Sequence, residues 1–165
     1  MFELKETEAA SKTDLYKSLT PQLYGLLDGE RDFTANAANF SSLLFNLLPE
    51  VSWAGVYLYR GGGLVLGPFQ GKPACTRIAI GKGVCGTAAE KMKSVVVRDV
   101  HEFPGHIACD AASNSEIVIP MAKEGRLIGV LDLDSTAAAR FDDDDKAGLE
   151  IMVEIFLNAT DVSFV

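Results

Sequence analysis

The segment from His106 to Glu116 concentrates reactive side-chain types, with one thiol, one histidine and two carboxylates within eleven residues. It follows the breaker pair Pro104-Gly105, is rich in small polar residues, and precedes the apolar run 117–119, so the sequence predicts a loop. Catalytic side chains are often carried by loops that a rigid scaffold positions. We therefore predict that Cys109, within this loop, is the reactive residue.

The chain contains three cysteines, separated by 10 and 24 residues and without a C-x-x-C pair: Cys75, Cys85 and Cys109. A zinc site made of the three thiolates and His106 is one interpretation, although structural zinc sites usually contain closely spaced ligand pairs. Three separate buried thiols are a second interpretation. All three cysteines, however, lie near glycine, proline or small polar residues and not inside apolar strands. This placement favours thiol–disulfide chemistry, in which one thiolate attacks and a second thiol resolves the oxidised intermediate.

Three acidic residues adjoin apolar strand-like runs. Asp132 and Asp134 are two residues apart, which places both carboxylates on one face of a strand. Glu116 immediately precedes another apolar run. A solvated strand end is the simpler interpretation of the aspartates. If the three acids converge in a buried site, desolvation and like charge raise the pKa of one carboxyl group and keep a proton available for general acid catalysis.

Several other side chains give weaker indications of a functional role. Trp53 and Tyr57 share one face of a predicted strand, as core residues or as a flat wall for a small apolar group. His101 and His106 are interpreted as polar loop residues, and His106 could also orient or help to deprotonate a neighbour. The segment 81–83, Gly-Lys-Gly, is too short for a phosphate loop, but its amides at a helix start could hold an anion such as a carboxylate.

The charge and the hydrophobic composition of the sequence argue against some classes of function. The chain has 165 residues and a formal net charge of −8, which argues against nucleic acid or an anionic membrane as a partner. No apolar run approaches the ~20 residues needed to span a bilayer, and the N-terminal residues do not resemble a secretion signal. We therefore expect a cytoplasmic protein, in which cysteines are kept reduced.

The hydrophobic pattern indicates helices at both ends of the chain and strands between them. Thr20-Pro21 predicts the start of a short helix, or a kink if an earlier turn near Asp14 joins it, and Asp32 predicts the cap of a helix extending to about residue 48. Strand-like runs follow at 53–59, 64–66, 76–80 and 95–97, with an interruption at 67–71 and a short helix at 84–90. A second hairpin spans 117–132, and a final helix starts at the acidic run 142–145.

This order of elements predicts an α+β fold in one domain spanning 1–165, with 1–12 as a loosely ordered arm. The sheet has about six antiparallel strands, and the N- and C-terminal helices pack largely on one of its faces.

Six segments in sequence order closely resemble the free methionine-R-sulfoxide reductases, a family built on the GAF fold. They are 67–71, 74–75, 81–86, 106–109, 115–118 and 129–135, and all three cysteines are among them. The resemblance implies reduction of the R-sulfoxide of the free amino acid, with peptide-bound methionine sulfoxide as a poor substrate. It also implies thioredoxin as an external reductant, no bound cofactor or metal, and a homodimer, which is common in the family.

The resemblance also implies roles for individual residues. Cys109 is the attacking thiolate and becomes a sulfenic acid, Cys75 is the resolving thiol, and Cys85 is an additional or alternative one. The acids surround the sulfoxide and the substrate's ammonium group, and an apolar wall faces the methyl group. The acids are Glu116, Asp132 and Asp134, and the wall is Trp53 with Tyr57 beside it.

Two other functions are compatible with the sequence. GAF domains often serve as small-molecule sensors, and a fold does not dictate a function. A thiol switch that peroxide alone oxidises is the second alternative. A carboxylate-lined site suits an anionic nucleotide poorly, which favours the enzyme over a nucleotide sensor.

Overall fold

The structure is a computed structural model that describes residues 4–5, 8–107 and 111–163. Four α-helices, one 3₁₀ turn (Val100–Glu102) and six strands are present within these ranges. The helices are α1 (Lys12–Leu27), α2 (Phe33–Leu47), α3 (Gly83–Lys91) and α4 (Asp143–Ala159). The strands are β1 (Trp53–Arg60), β2 (Gly63–Gln70), β3 (Arg77–Ala79), β4 (Val95–Val97), β5 (Ser115–Lys123) and β6 (Arg126–Ser135). Within these ranges, no helix combines the length and apolar character needed to cross a bilayer.

The six strands form one antiparallel sheet in the order β3-β2-β1-β6-β5-β4. Two hairpins, β1–β2 and β5–β6, are joined at the centre of the sheet by pairing of β1 with β6. Glu124 and Gly125 connect β5 to β6, and both have positive φ (53° and 75°), as a two-residue type I′ turn requires. The predicted α+β class and six-stranded antiparallel sheet are confirmed.

Different helices pack on the two faces of the sheet. Helices α1, α2 and α4 enclose the main core on one face, against inward residues such as Val56, Ile119 and Leu131. On the other face, a smaller cluster combines α3 residues with the alternate strand residues, among them Tyr57 and Val130. Successive strand side chains point to opposite faces, so this smaller cluster and the acids share one side of the sheet. The terminal helices thus pack on one face as predicted, while α3 covers the other.

Of the two predictions for α1, the structure confirms that the turn near Asp14 joins the helix, whereas the prediction of Thr20 as its N-cap is wrong. The helix begins earlier, where the Ser11 side chain accepts a hydrogen bond from the Asp14 amide, and it continues through Pro21. Thr20 lies inside it and donates its hydroxyl to the Tyr16 carbonyl at 2.8 Å. Burial of the apolar face of α1 offsets the local cost of an internal proline. The predicted cap of α2 is confirmed, since Asp32 accepts from the Ala35 amide.

Strand β2 also differs from the prediction, because it continues through residues 67–70 where an interruption was expected. Strand β3 pairs only with residues Gly63 to Val65 of β2, so Pro68 lies where the outer edge has no partner strand. A proline without an amide hydrogen is tolerated at such an edge. On the inner side, the register of β1 shifts between Gly55 and Tyr57, opposite this stretch.

Candidate active site

The pairing of β5 with β6 brings the three predicted acids together on the face that α3 covers. Glu116 is the direct cross-strand partner of Asp134, and Asp132 is the partner of Val118 two residues further along β5. Glu116 and Asp132 are each 6% exposed, while Asp134 is partly buried. The i, i+2 spacing of the aspartates therefore places both on one buried face, and the interpretation as a solvated strand end is wrong for Asp132.

Helix α3 positions Cys85 above these acids. Gly83 starts the helix with φ +60°, and a Cβ on Gly86 would lie 2.3 Å from the Ala79 carbonyl, so only glycine lets the helix approach β3 this closely. The Cys85 thiol is 3% exposed and donates to Glu116 Oε1 at 3.9 Å. Potential ligand atoms of Cys85, Glu116 and Asp132 all lie within 4.8 Å of one another.

Burial and mutual repulsion keep protons in this cluster. The pKa of Glu116 is well above its usual range because the group is buried and because the charge of Asp134 is close. The pKa of Asp132 is raised by burial and then by the charges of Glu116 and Asp134. Burial, with Asp132 and Glu116 nearby, also raises the pKa of the Cys85 thiol. The predicted raised carboxyl pKa thus has the physical causes expected for it.

A small, partly open cavity of about 30 Å³ lies among these groups. Its lining includes the acids and Cys85, together with Lys82, His106 and Ser113. Among the described residues, no hydrogen-bond partner reaches the buried Asp132 Oδ1. The volume is enough for about one water molecule, so the surrounding side chains must separate to admit an amino acid.

Lys82 and Ser113 border the cavity although the sequence pattern predicts no direct role for either side chain. Lys82 belongs to the segment 81–83, in which the predicted anion contact involves only the backbone amides. Ser113 is buried at 4% exposure, and its position within the predicted reactive loop was the one available signal.

His106 makes a close contact with the acid cluster. Its Nε2 lies 3.5 Å from Glu116 Oε2, and its side chain is 15% exposed whereas that of Glu116 is 8% exposed. His101, by contrast, contacts Asn114 Oδ1 through Nε2 at 3.2 Å and is exposed. The two loop histidines therefore have different surroundings, and only His106 lines the cavity among the described residues.

The predicted aromatic wall lies beside the cavity rather than in its lining. Trp53 is stacked between Tyr57 and Phe69, at ring-centroid distances of 6.0 and 5.3 Å. Its indole Nε1 donates to the Lys72 carbonyl at 3.0 Å. Burial and the charge of Asp132 raise the pKa of Tyr57, so its hydroxyl stays protonated. Trp53 and Tyr57 are thus packed, neutral neighbours of the acids.

The two described cysteines, Cys85 and Cys75, are in different states. Cys85 carries a free, buried thiol, whereas Cys75 is disulfide-bonded and partly buried beside the α3-side cluster. Cys109 lies outside the described residues, but Ile107 and Ser113, which flank residues 108–112, both line the cavity. The disulfide at Cys75 precludes it from acting as a thiolate zinc ligand in this form. The thiol and carboxylates of Cys85, Glu116 and Asp132 are the described group that could hold a divalent cation.

Comparisons with known proteins agree with this arrangement. The GAF domain family matches residues 37–158. The free methionine-R-sulfoxide reductase of Escherichia coli is 52% identical over 143 residues, covering 87% of this chain and 87% of that protein. A crystal structure of a candidate GAF sensor protein from Burkholderia vietnamiensis is 58% identical, with a TM-score of 0.88 over 92% of this chain and 96% of that one.

A third similar protein is the free methionine-R-sulfoxide reductase of Neisseria meningitidis, solved by X-ray methods in complex with its substrate. It is 43% identical, with a TM-score of 0.92 over 96% of this chain and 95% of that one. The extent of these matches, together with the GAF fold observed here, shows that the chain belongs to the GAF-domain family of free methionine-R-sulfoxide reductases.

Proposed function

We propose that this protein reduces free L-methionine-R-sulfoxide to L-methionine, with Cys109 as the nucleophile. The observation that carries the proposal is the pair of buried carboxyl groups, Glu116 and Asp132, with raised pKa values beside a small cavity that both residues line. A sulfoxide oxygen must gain a proton as a thiolate attacks the sulfur, so the reaction requires an acid that is still protonated at neutral pH.

The first step transfers the sulfoxide oxygen to Cys109. The thiolate of Cys109 attacks the substrate, and a carboxyl group of the Glu116–Asp132 pair protonates the oxygen. The sulfur–oxygen bond of the substrate then breaks, giving methionine and a sulfenic acid on Cys109. The flanking residues Ile107 and Ser113 both border the cavity, which supports a nucleophile in the intervening segment.

The second step regenerates the thiols. The thiol of Cys75 attacks the sulfenic sulfur and expels water, so one sulfoxide and two thiols yield one thioether, one disulfide and one water. A dithiol reductant of the thioredoxin class then opens the disulfide. The disulfide-bonded state of Cys75 supports this role. Cys85 is less suited to it, because burial and the nearby acids hold its thiol protonated and the thiolate is the reactive form.

Recognition of the amino acid follows from the charges around the cavity. The acids suit the ammonium group of the substrate, with Asp134 as the partly buried member beside the two proton carriers. The amides at the start of α3, near Lys82, suit its carboxylate. The buried Asp132 Oδ1, which has no hydrogen-bond partner among the described residues, offers an acceptor that a bound ligand would satisfy. Trp53 and Tyr57 supply an apolar boundary for the methyl group.

A stereospecific assay tests the proposal. Consumption of reductant is measured with thioredoxin, its reductase and the R or S epimer of methionine sulfoxide, each free or within a peptide. We expect turnover with the free R epimer and little with the other three. No turnover with any of them would instead favour a sensor.

The thiol-switch alternative is tested by oxidising the reduced protein with peroxide in the absence of sulfoxide. In a switch, Glu116→Gln leaves the rate of disulfide formation and its cycling unchanged and no sulfoxide is turned over. In the reductase, the same substitution slows methionine formation, because protonation of the sulfoxide oxygen depends on the buried acid pair.

A further inference from the structure

The proposed reaction creates a proton-supply problem in the buried site. Each time the Glu116–Asp132 pair protonates a sulfoxide oxygen, a buried carboxylate is left that must regain a proton. Glu116 and Asp132 are each 6% exposed as whole residues, and the cavity that both of them line has a volume of only about 30 Å³. Bulk water therefore has little direct access to the groups that must be reprotonated.

His106 lies between these acids and the solvent. Within the described ranges, it is the one basic side chain within 4.0 Å of a Glu116 or Asp132 oxygen, through Nε2 at 3.5 Å from Glu116 Oε2. Its side chain is about twice as exposed as that of Glu116, at 15% against 8%. An imidazole can donate a proton from one nitrogen and accept one at the other, which a lysine ammonium does not do at neutral pH.

We propose that His106 relays protons from solvent to the buried Glu116–Asp132 pair, an inference that rests on the proposed sulfoxide reduction. The imidazole donates the proton on Nε2 to Glu116 Oε2, takes one from water on its exposed side, and is reset by ring rotation or tautomeric exchange. No net charge enters the site, because each proton passed inward replaces one used on the sulfoxide oxygen.

Other ionisable groups line the same cavity as His106. They are Lys82 and Cys85 from the α3 side, Glu116 from β5, and Asp132 and Asp134 from β6. Lys82 is exposed, and no ion pair joins it to an acid among the described residues, whereas His106 contacts Glu116 directly. The geometry thus distinguishes the histidine from the lysine as the proton carrier.

Replacement of His106 tests the relay by multiple-turnover formation of methionine with excess thioredoxin and its reductase, because the acid pair must regain a proton after each sulfoxide is reduced. We expect His106→Ala to lower the maximal rate at least about tenfold with KM changed less than about twofold, because general acid–base groups contribute roughly 10²–10⁴-fold. Added imidazole should restore much of the lost rate by occupying the vacated space. His101→Ala is the matched control and should retain the wild-type rate, since His101 faces Asn114 instead of the cavity.

Two further variants separate proton transfer from positioning. His106→Gln can still donate a hydrogen bond but cannot carry a proton, so it should be as slow as His106→Ala. In a Glu116→Gln background, adding His106→Ala should cost little more, because the relay acts through Glu116. A wild-type rate for His106→Gln, a loss that imidazole does not restore, or full additivity with Glu116→Gln would each overturn the relay.

The same experiment separates failure of the relay from failure of the proposed function. If neither the wild-type protein nor His101→Ala forms methionine, the proposed reaction is wrong and the relay falls with it. If both form methionine and His106→Ala does so equally fast, the reaction stands and the relay alone is wrong. Far-ultraviolet circular dichroism of each variant verifies that the fold is retained, and His106→Gln replaces His106→Ala if the latter fails to fold.

Discussion

Glu116 on β5 lies directly opposite Asp134 on β6, with both carboxyl groups on the face of the sheet that α3 covers. Like charges opposite one another destabilise an antiparallel pair, and Asp132 adds a third acid to the same face. The fold therefore retains an electrostatically unfavourable cluster. Repulsion and burial raise the pKa of Glu116 and of Asp132, which favours the protonated carboxyl group that general acid catalysis needs.

This cluster should make stability depend on pH in an unusual direction. The folded-state pKa of Asp132 is raised, so the native protein binds more protons than the unfolded chain above the unfolded carboxyl pKa of about 4. By linkage, this contribution lowers the free energy of unfolding as the pH rises from about 4 towards the folded-state pKa.

Replacement of Asp132 by a neutral residue should remove this loss of stability. We expect Asp132→Asn to raise the free energy of unfolding more at pH 7 and 8 than at pH 5, because the amide removes the buried charge that becomes more costly as the pH rises, and to abolish most of the activity. Urea denaturation at pH 5, 7 and 8 measures the change, with exposed Glu154→Gln on α4 as the control. A variant less stable than the wild type at pH 8 would contradict the assignment.

Replacement of the proposed nucleophile should abolish the reaction itself. We expect Cys109→Ser to form no methionine even when protein and sulfoxide are mixed in equal amounts, because a serine hydroxyl is not ionised near neutral pH and is a far weaker nucleophile than a thiolate. Chromatographic quantification of methionine after a single mixing measures this. Methionine at the wild-type level would move the nucleophile to another cysteine.

Replacement of the proposed resolving thiol should instead separate the two half-reactions. We expect Cys75→Ser to yield about one methionine per chain and then to stall, because the sulfenic acid has lost its partner thiol. Methionine is counted per chain over time with thioredoxin present, and a sulfenic acid probe detects the stalled intermediate. Continued turnover at the wild-type rate would transfer the resolving role to Cys85.

The packing of Trp53 offers a test of the apolar wall. A Cβ on Gly55 would lie 2.5 Å from Trp53 Cη2 and 2.4 Å from Phe69 Cβ, so Gly55→Ala must displace the indole. We expect a shifted fluorescence maximum from this single tryptophan, a loss of about 1–3 kcal/mol of stability by overpacking, and a raised KM.

Gly63→Ala in the neighbouring strand is the matched control for Gly55→Ala, because its Cβ would meet one backbone oxygen at 3.3 Å and no ring. Equal effects of the two alanines on KM would remove Trp53 from the substrate site. Tryptophan fluorescence and KM should change together in Gly55→Ala and stay near the wild-type values in the control.

Local patterns in the sequence determined most of the helices and strands and the residue types available for chemistry. Period-two alternation placed Asp132 with Asp134 and Trp53 with Tyr57, because neighbouring strand residues point to opposite faces. Turn residues and the cap at Asp32 predicted element ends, since their backbone and side-chain requirements are local. Of the two predicted starts of α1, the one at Thr20 was wrong, as was the interruption at residues 67–71, because packing of α1 and pairing of β1 with β2 override local breaker signals.

Only the tertiary structure decided which reactive groups meet. Pairing of β5 with β6 sets Glu116 against Asp134, and docking of α3 brings Cys85, 31 residues away in sequence, to within 3.9 Å of Glu116. The same packing forms the cavity and places His106 beside Glu116. Burial and separation across strands are properties of the folded chain, so the raised pKa values that support catalysis arise only when the sheet and α3 come together.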